Sequence, residues 1–450
     1  MPSVLIVSPR FPPTNAPDLH RVRVSLGYYS VFGWEPTVLC IDAETANGID
    51  DPLLERSLPA GLSVIKVRAW LERTCRRFGF GEFSYRSVVP LYRAGRRLLE
   101  RKRYDVVFFS TTAFLVFVLG PLWKRRFDCR IVYDFHDPWF SERLAYTPRN
   151  VPGRWWKYRL DRGLARFLER FAIAAADHII VVSPVYIEAL TRRYPWLDRA
   201  KFTMLPFGGA PDDYDALGRF GVSQQIFAPR SSLLRWVSVG AVSPDMSPVL
   251  TALFETLADS RMADGSFPDR LRVHFIGTNY APADRTRKLV EPLAASVGLT
   301  GVAQEAPARV PYFEALAIYA ASDAVLLIGS AEPDYTASKL LTCVLSGKPI
   351  LALFHRDSLV SEIAAHFPNV FLATFGHSPA EPCFRAQVAA GIAWLQTPPT
   401  FDQAAIAAAA RPWLPEALTR RQCAIFDQVV AEAAADAHDA ATIRPVIPEA

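Results

Sequence analysis

Short, mostly apolar runs recur along the chain, most of them closed by a glycine, a proline or a small polar residue and followed by a stretch with helical spacing. Residues 4–7, 36–41, 62–67, 106–109, 130–133, 178–182 and 202–205 are such runs. The pattern restarts at 236–239, 272–276, 324–328 and 350–354. Runs this short and this apolar fit strands buried on both faces, and their alternation with helices calls for a parallel sheet covered on each side. The expected class is therefore α/β, with two tandem Rossmann-like, doubly wound domains. Helices are expected over residues 21–32, 90–103, 339–345 and 414–430. Another is expected over 155–175, where Trp156, Leu160, Leu164, Phe167, Leu168 and Phe171 make one stripe.

The division follows from where the alternation stops. Residues 1–205 form the first domain. Residues 206–232 lack periodicity around the acidic stretch Asp212-Asp213-Tyr214-Asp215 and read as a linker. Residues 233–412 form the second domain, 413–433 a closing helix, and 434–450 a frayed, disordered tail. A chain of 450 residues, half of them apolar, suits two or three domains with sizeable cores.

A net charge of +5 is too small to argue for nucleic acid. Its distribution says more: from Arg68 to Arg103, Lys and Arg far outnumber the acids Glu72, Glu82 and Glu100. That block suits phosphates or an anionic membrane, and it suits a solvated helix face equally. The six cysteines, Cys40, Cys75, Cys129, Cys343, Cys383 and Cys423, have no metal or redox spacing, so a reducing compartment is expected. Residues 4–7 are too short for the apolar core of a signal peptide and run into Pro9, Pro12 and Pro13. Residues 106–123 are nearly all apolar, but Ser110-Thr111-Thr112 splits them into a strand and a helix instead of a membrane span.

Three motifs lie where a doubly wound sheet binds ligands, at the carboxyl ends of strands. In the first, Asp334-Tyr335-Thr336-Ala337-Ser338-Lys339 precedes an apolar helix. Ser338 or Thr336 is expected to cap that helix, its free N–H groups and Lys339 to hold a diphosphate, and Asp334 to meet sugar hydroxyls. A capped core helix with a surface lysine is the plain alternative. In the second, Asn15, Asp18, His20, Arg21 and Arg23 follow the first strand, and both arginines are placed to reach phosphate oxygens, unless they are solvated. In the third, Asp134-Phe135-His136-Asp137-Pro138 closes another strand. His136 is expected to bond a sugar hydroxyl or phosphate, with Asp137 orienting it or acting as a base. A cap and a structurally satisfied histidine are the competing reading.

Gly240, Ser243, Gly277 and Tyr280 follow strands of the second domain. Tyr280 is a candidate partner for a nucleobase, on a weak signal. Asp213-Tyr214-Asp215 has the spacing of a metal-binding Asp-x-Asp but reads as solvated loop. No metal and no cofactor are expected, and there is no phosphate-binding Gly-rich loop.

Together these residues resemble the retaining family 4 glycosyltransferases. The opening residues 4–13 with Asn15, Asp18, His20, Arg21 and Arg23, and then 33–39, are similar to a bacterial subgroup acting in surface-polysaccharide assembly. The resemblance implies a GT-B fold with a cleft between two domains and a C-terminal helix returning to the first. It implies metal-independent transfer of a sugar, from a UDP-sugar in preference to a GDP-sugar, to a glycan or lipid-linked acceptor. It also implies retention through front-face attack, with the diphosphate taking the proton. Asp334 and Thr342 stand where the family carries two glutamates. After Gly240 the chain lacks the family's Arg and Lys, so Lys339, Arg21 or Arg23 must compensate.

The aromatic and basic stretches 83–103 and 154–170 fit a membrane interface, the stripe around Trp156 being core in the competing reading. The expected setting is cytoplasmic, peripheral on the inner membrane face. Two other readings compete: a nucleotide-sugar epimerase or hydrolase on the same fold, and a non-catalytic scaffold.

Overall fold

The structure, a computed structural model, describes residues 1–46, 48–77, 80–140, 155–228, 232–263, 270–279, 287–333 and 338–442. The chain divides into two compact units, Met1–Pro206 with Pro415–Ala450, and Phe207–Leu414.

The first unit is built on β1 (Ser3–Val7), β3 (Glu35–Ile41), β5 (Ser63–Val67), β6 (Val106–Ser110), β7 (Arg130–Phe135), β8 (His178–Val181) and β9 (Phe202–Met204). They lie in the order β5-β3-β1-β6-β7-β8-β9, all parallel. Two short strands, β2 (Thr14–Asn15) and β4 (Ile49–Asp50), pair antiparallel outside this sheet. The order reverses direction between β1 and β6, which opens a crevice at their carboxyl ends. β6 ends at Ser110 and gives way to the helical turns Phe114–Val118 and Leu119–Phe127, the split read from the polar triplet.

The helix Pro415–Thr442 belongs to this unit. Its Phe426 ring packs against Tyr29, Trp34 and Phe108, with centroids 6.3, 5.3 and 5.4 Å away. Trp34 Nε1 donates to Asp427 Oδ1 at 3.0 Å, so the indole is both buried and satisfied. The helix continues past residue 434, where a tail was expected, and residues 443–450 lie outside the described ones.

The second unit has β10 (Leu234–Val239), β11 (Leu271–Ile276), β12 (Ala303–Ala306), β13 (Ala324–Ile328), β14 (Ile350–His355) and β15 (Val370–Phe375) in the parallel order β12-β11-β10-β13-β14-β15. Its reversal falls between β10 and β13. The strands β12 and β15 escaped the sequence reading. Ala303-Gln304-Glu305-Ala306 is polar for a buried run, and most of β15 is only partly buried.

Two further expectations change. The stretch read as a linker carries the helix Pro211–Phe220, opened by Pro211 and closed by left-handed Gly221. Its inner face mixes Asp213 with Ala216, and Phe220 packs on the Phe313 ring with centroids 5.1 Å apart, so polar residues interrupt its periodicity. The Tyr214 hydroxyl donates to the Thr342 carbonyl at 2.8 Å, and the Tyr312 hydroxyl donates to the buried Asp213 carboxylate at 2.8 Å. Asp213 is therefore neither in a solvated loop nor turned outward. The expected helix at 90–103 begins earlier, as Phe83–Arg101, with Pro90 inside it.

The helix Trp155–Ile173 forms, but Leu160, Leu164 and Phe167 are exposed, so that part of its stripe does not face a core. No helix among the described residues is long and apolar enough to cross a membrane.

Candidate functional site

In the first unit the reversal between β1 and β6 gathers side chains from three strand ends. Ser110, the last residue of β6, lies opposite Asp134 of β7 in register. Ser110 Oγ donates to Asp134 Oδ2 at 2.8 Å, and His136 Nε2 lies 2.7 Å from the same oxygen and 3.0 Å from Ser110 Oγ. The Arg21 guanidinium completes the cluster, with Nε 2.8 Å from Asp134 Oδ2. Burial alone would push the Asp134 carboxyl up. The charges of Arg21 and His136, with hydrogen bonds from His136 and Ser110, outweigh it and hold the group below the usual carboxylate range. An ionised carboxylate only accepts, so the network assigns the proton to Nε2 of His136.

Asp18 makes a second clasp. Its Oδ2 accepts from Thr111 Oγ1 at 2.9 Å, from the Thr112 amide at 3.1 Å and from Thr112 Oγ1 at 3.2 Å, and Arg10 Nη1 stands 3.6 Å away. Asp18 and Arg21 together fasten the loop after β1 to the ends of β6 and β7. Arg21 also donates from Nη2 to the Leu205 carbonyl at 2.6 Å and from Nη1 to that of Pro206 at 3.4 Å.

These contacts correct the roles expected of the first loop. Arg21 and Arg23 are buried and committed to protein partners, Arg23 through Nη1 to Ser57 Oγ at 3.0 Å. Neither guanidinium is placed to reach phosphate oxygens. Asn15 donates to Asp51 Oδ2 at 3.3 Å, and His20 is partly buried at the start of the helix His20–Ser25. His136 is only 2% exposed, so it acts on its surroundings through Asp134 and Ser110, while Asp137 beside it is exposed.

In the second unit the equivalent crevice lies between β10 and β13. Gly240 follows β10 with φ +136, a conformation that L side chains rarely adopt. The reason for glycine is a neighbour: a Cβ there would overlap the Lys339 ammonium. Lys339 Nζ donates to the Val239 carbonyl at 2.9 Å, directly across the reversal. Burial pulls the Lys339 pKa down to about 8, the nearby Cys343 thiol opposing this and the Arg309 charge adding to it. Two cations, Lys339 and Arg309, thus converge on the carboxyl end of the sheet.

The surrounding loops are tied together. The Ala331 amide donates to the Asp245 carbonyl at 3.2 Å and the Val242 amide to that of Thr278 at 3.0 Å. Thr278 Oγ1 donates to the buried Glu305 at 2.6 Å. Glu305 also accepts the amides of Leu289, Val290 and Glu291 at 3.1, 2.8 and 3.1 Å, capping the helix Val290–Ser296.

Gly240, Ser243 and Gly277 stand on these loops. Thr342 contributes its carbonyl to Tyr214, as described. Among the described residues no side chain caps the helix Leu340–Leu345, which is preceded by Lys339 itself, and Ser338 is exposed. Tyr280, Asp334, Tyr335 and Thr336 lie outside the described residues. Among those described, no group of three His, Cys, Asp or Glu side chains is arranged to hold a metal.

Asp134, Ser110, Arg309 and Glu305 received no role in the sequence reading. Asp134 and Ser110 carried the one available signal, polar residues closing apolar strands. Arg309 carried none, since only the fold brings the loop after β12 toward β10.

Residues 27–208 match the family described as glycosyl transferase 4-like domain. No curated protein sequence matches the chain. Solved structures do. Anabaena Alr3699/HepE, in complex with UDP and glucose, is 16% identical with a TM-score of 0.60, covering 95% of this chain and 100% of that one. A UDP-forming alpha,alpha-trehalose-phosphate synthase from Burkholderia xenovorans is 13% identical with a TM-score of 0.62, over 95% and 99%. A glycosyltransferase from Rickettsia africae is 14% identical with a TM-score of 0.56, over 95% and 98%. At such identities the likeness establishes the fold, two Rossmann-like domains of the GT-B type.

Proposed function

From a glycosyl transferase 4-like domain carried on a GT-B fold, we propose that this chain is a glycosyltransferase that takes its sugar from a nucleotide-diphosphate donor. The observation that carries the proposal is the Lys339 ammonium, held 2.9 Å from the Val239 carbonyl at the reversal of the second sheet and coupled to Arg309. A partly buried cation at a strand's carboxyl end is suited to a diphosphate, whose charge grows as it leaves. In this chain Lys339 and Arg309 supply the charge that the loop after β10 lacks. Arg21 and Arg23 do not contribute, because their guanidinium groups bind protein partners.

A UDP-sugar is the favoured donor, since HepE holds UDP and the trehalose-phosphate synthase is UDP-forming. In the retaining, metal-independent reading the bond from the anomeric carbon to the diphosphate breaks as an acceptor hydroxyl bonds to the same face. The hydroxyl proton passes to the leaving diphosphate, which Lys339 and Arg309 neutralise. The acceptor, a glycan or lipid-linked sugar of bacterial polysaccharide assembly, belongs to the first unit, where exposed Asp137 stands next to the Asp134–His136 pair. The chain then works on the cytoplasmic side of a membrane, bound peripherally.

Calorimetric titration with UDP and UDP-glucose, for wild type and Lys339→Met, tests the donor assignment. Binding lost by at least tenfold in Lys339→Met supports it. No binding of either ligand by a well-folded wild type rejects it, and binding without turnover on any acceptor would mark a scaffold.

A further inference from the structure

The first unit has an apolar cavity at the edge of its sheet, just beyond the carboxyl end of β5. Trp70, Leu71, Cys75, Phe80, Tyr85 and Val89 are among the residues lining its volume of about 740 Å³. That volume lies within the roughly 300–1,000 Å³ usual for small-molecule pockets. Its rim is apolar and exposed: Trp70 is 45%, Leu71 66% and Phe80 55% accessible. The helix Trp155–Ile173 presents Leu160, Leu164 and Phe167, spaced to share one face, equally bare. The two features share a neighbour: the helix Phe83–Arg101, which supplies Tyr85 and Val89, and the helix Trp155–Ile173 both pack against the turn Phe114–Val118.

Around this apolar surface arginines outnumber the acids Glu72, Glu82 and Asp161. Arg73, Arg76 and Arg77 are exposed on the helix Glu72–Arg77, and Arg159, Arg166 and Arg170 on the helix Trp155–Ile173. A chain that kept such a surface in water would hold large apolar groups exposed without compensation. An apolar pit and stripe edged with arginines complement a molecule with a hydrocarbon chain and an anionic head.

We propose that this surface docks on a membrane by taking up a phosphate-bearing lipid, one hydrocarbon chain entering the cavity while the arginines meet headgroup phosphates. Leu160, Leu164 and Phe167 enter the boundary between headgroups and chains. This deepens the membrane part of the proposed function and does not depend on sugar transfer. Failure to bind UDP would remove the transferase and leave lipid docking standing.

The test uses the full chain. Phosphatidylglycerol vesicles retain it in sedimentation at least tenfold better than phosphatidylcholine vesicles. Octyl and decyl phosphate, titrated as monomers, bind with affinity rising roughly fourfold per added methylene. Thr74→Trp, which fills the cavity from an exposed lining position, abolishes this chain-length dependence at an unchanged melting temperature. Leu160→Asp with Leu164→Asp and Phe167→Asp, all at exposed sites, lowers vesicle retention at least tenfold. Equal affinity for octyl and decyl phosphate overturns the proposal. So does vesicle retention that survives the cavity-filling and helix-face variants, which would reduce the surface to a basic patch.

Discussion

Asp134 Oδ2 lies 2.7 Å from His136 Nε2 and 2.8 Å from Arg21 Nε, so one buried carboxylate oxygen holds a histidine beyond its own strand and an arginine from the helix His20–Ser25. Removing that charge leaves the Arg21 guanidinium buried without its counter-ion. Asp134→Asn is expected to destabilise the first unit by about 3–5 kcal/mol, measured by urea unfolding. A loss below about 1 kcal/mol would falsify the view that this pair fastens the loop.

The same carboxylate gives a pH signature. Its folded pKa is depressed, so its contribution is fully present above the unfolded value of about 3.9 and is lost as the pH falls through the folded value. Wild-type stability should fall through this acid window. Asp134→Asn should show a shallower fall, and identical acid slopes would assign the transition to other groups.

Lys339 titrates in the opposite setting. With its pKa lowered to about 8, the folded chain binds fewer protons than the unfolded chain between there and about 10.5. Stability from this group therefore rises with pH across that window, and the burial penalty applies below it. A diphosphate favours the ammonium. UDP affinity should fall above about pH 8, with proton uptake on binding, seen by calorimetry in buffers of different ionisation heat. Lys339→Met should lose both effects, and a flat affinity from pH 7 to 9.5 in wild type would count against Lys339 as the phosphate contact.

Gly240→Ala introduces a methyl group where the Lys339 ammonium sits, on a backbone that disfavours any side chain. The variant should lose about 1–3 kcal/mol of stability and weaken UDP binding about tenfold. The double variant with Lys339→Ala should bind UDP no worse than Lys339→Ala alone, because the two changes act on one contact. Fully additive losses would mean that Gly240 acts elsewhere.

Phe426 tests the returning helix. It is fully buried against Tyr29, Trp34 and Phe108, and Phe426→Ala should cost about 3–5 kcal/mol in urea unfolding. A chain ending at Leu414 should not give a folded first unit, judged by the near-ultraviolet dichroism of its aromatic residues.

The class of fold was legible because a parallel strand buried on both faces must be short and apolar, as at residues 4–7 and 324–328. The helix Pro211–Phe220 and strand β12 were not, since each turns a polar residue inward, Asp213 bonded by Tyr312 and Glu305 by Thr278, and these interrupt the apolar pattern. The candidate residues were legible only as placement: His136, Gly240 and Lys339 stand at strand ends, where a doubly wound sheet is expected to bind ligands. Their roles did not follow. Arg21 and Lys339 are both basic residues beside strand ends, yet Arg21 closes on Asp134, Leu205 and Pro206 while Lys339, among the described residues, bonds a backbone carbonyl.

The sequence by itself determined the two doubly wound sheets, most of their strands and the strand ends at which the candidate residues stand. These depend on local apolar pattern and on the handedness of strand–helix–strand connections. Only the tertiary structure decided which arginine is spent on a buried carboxylate, which lysine is held over Gly240 and which apolar stripe stays bare. Each of those outcomes depends on partners distant in the chain, and a charge or an apolar face carries no mark of its partner until the fold brings them together.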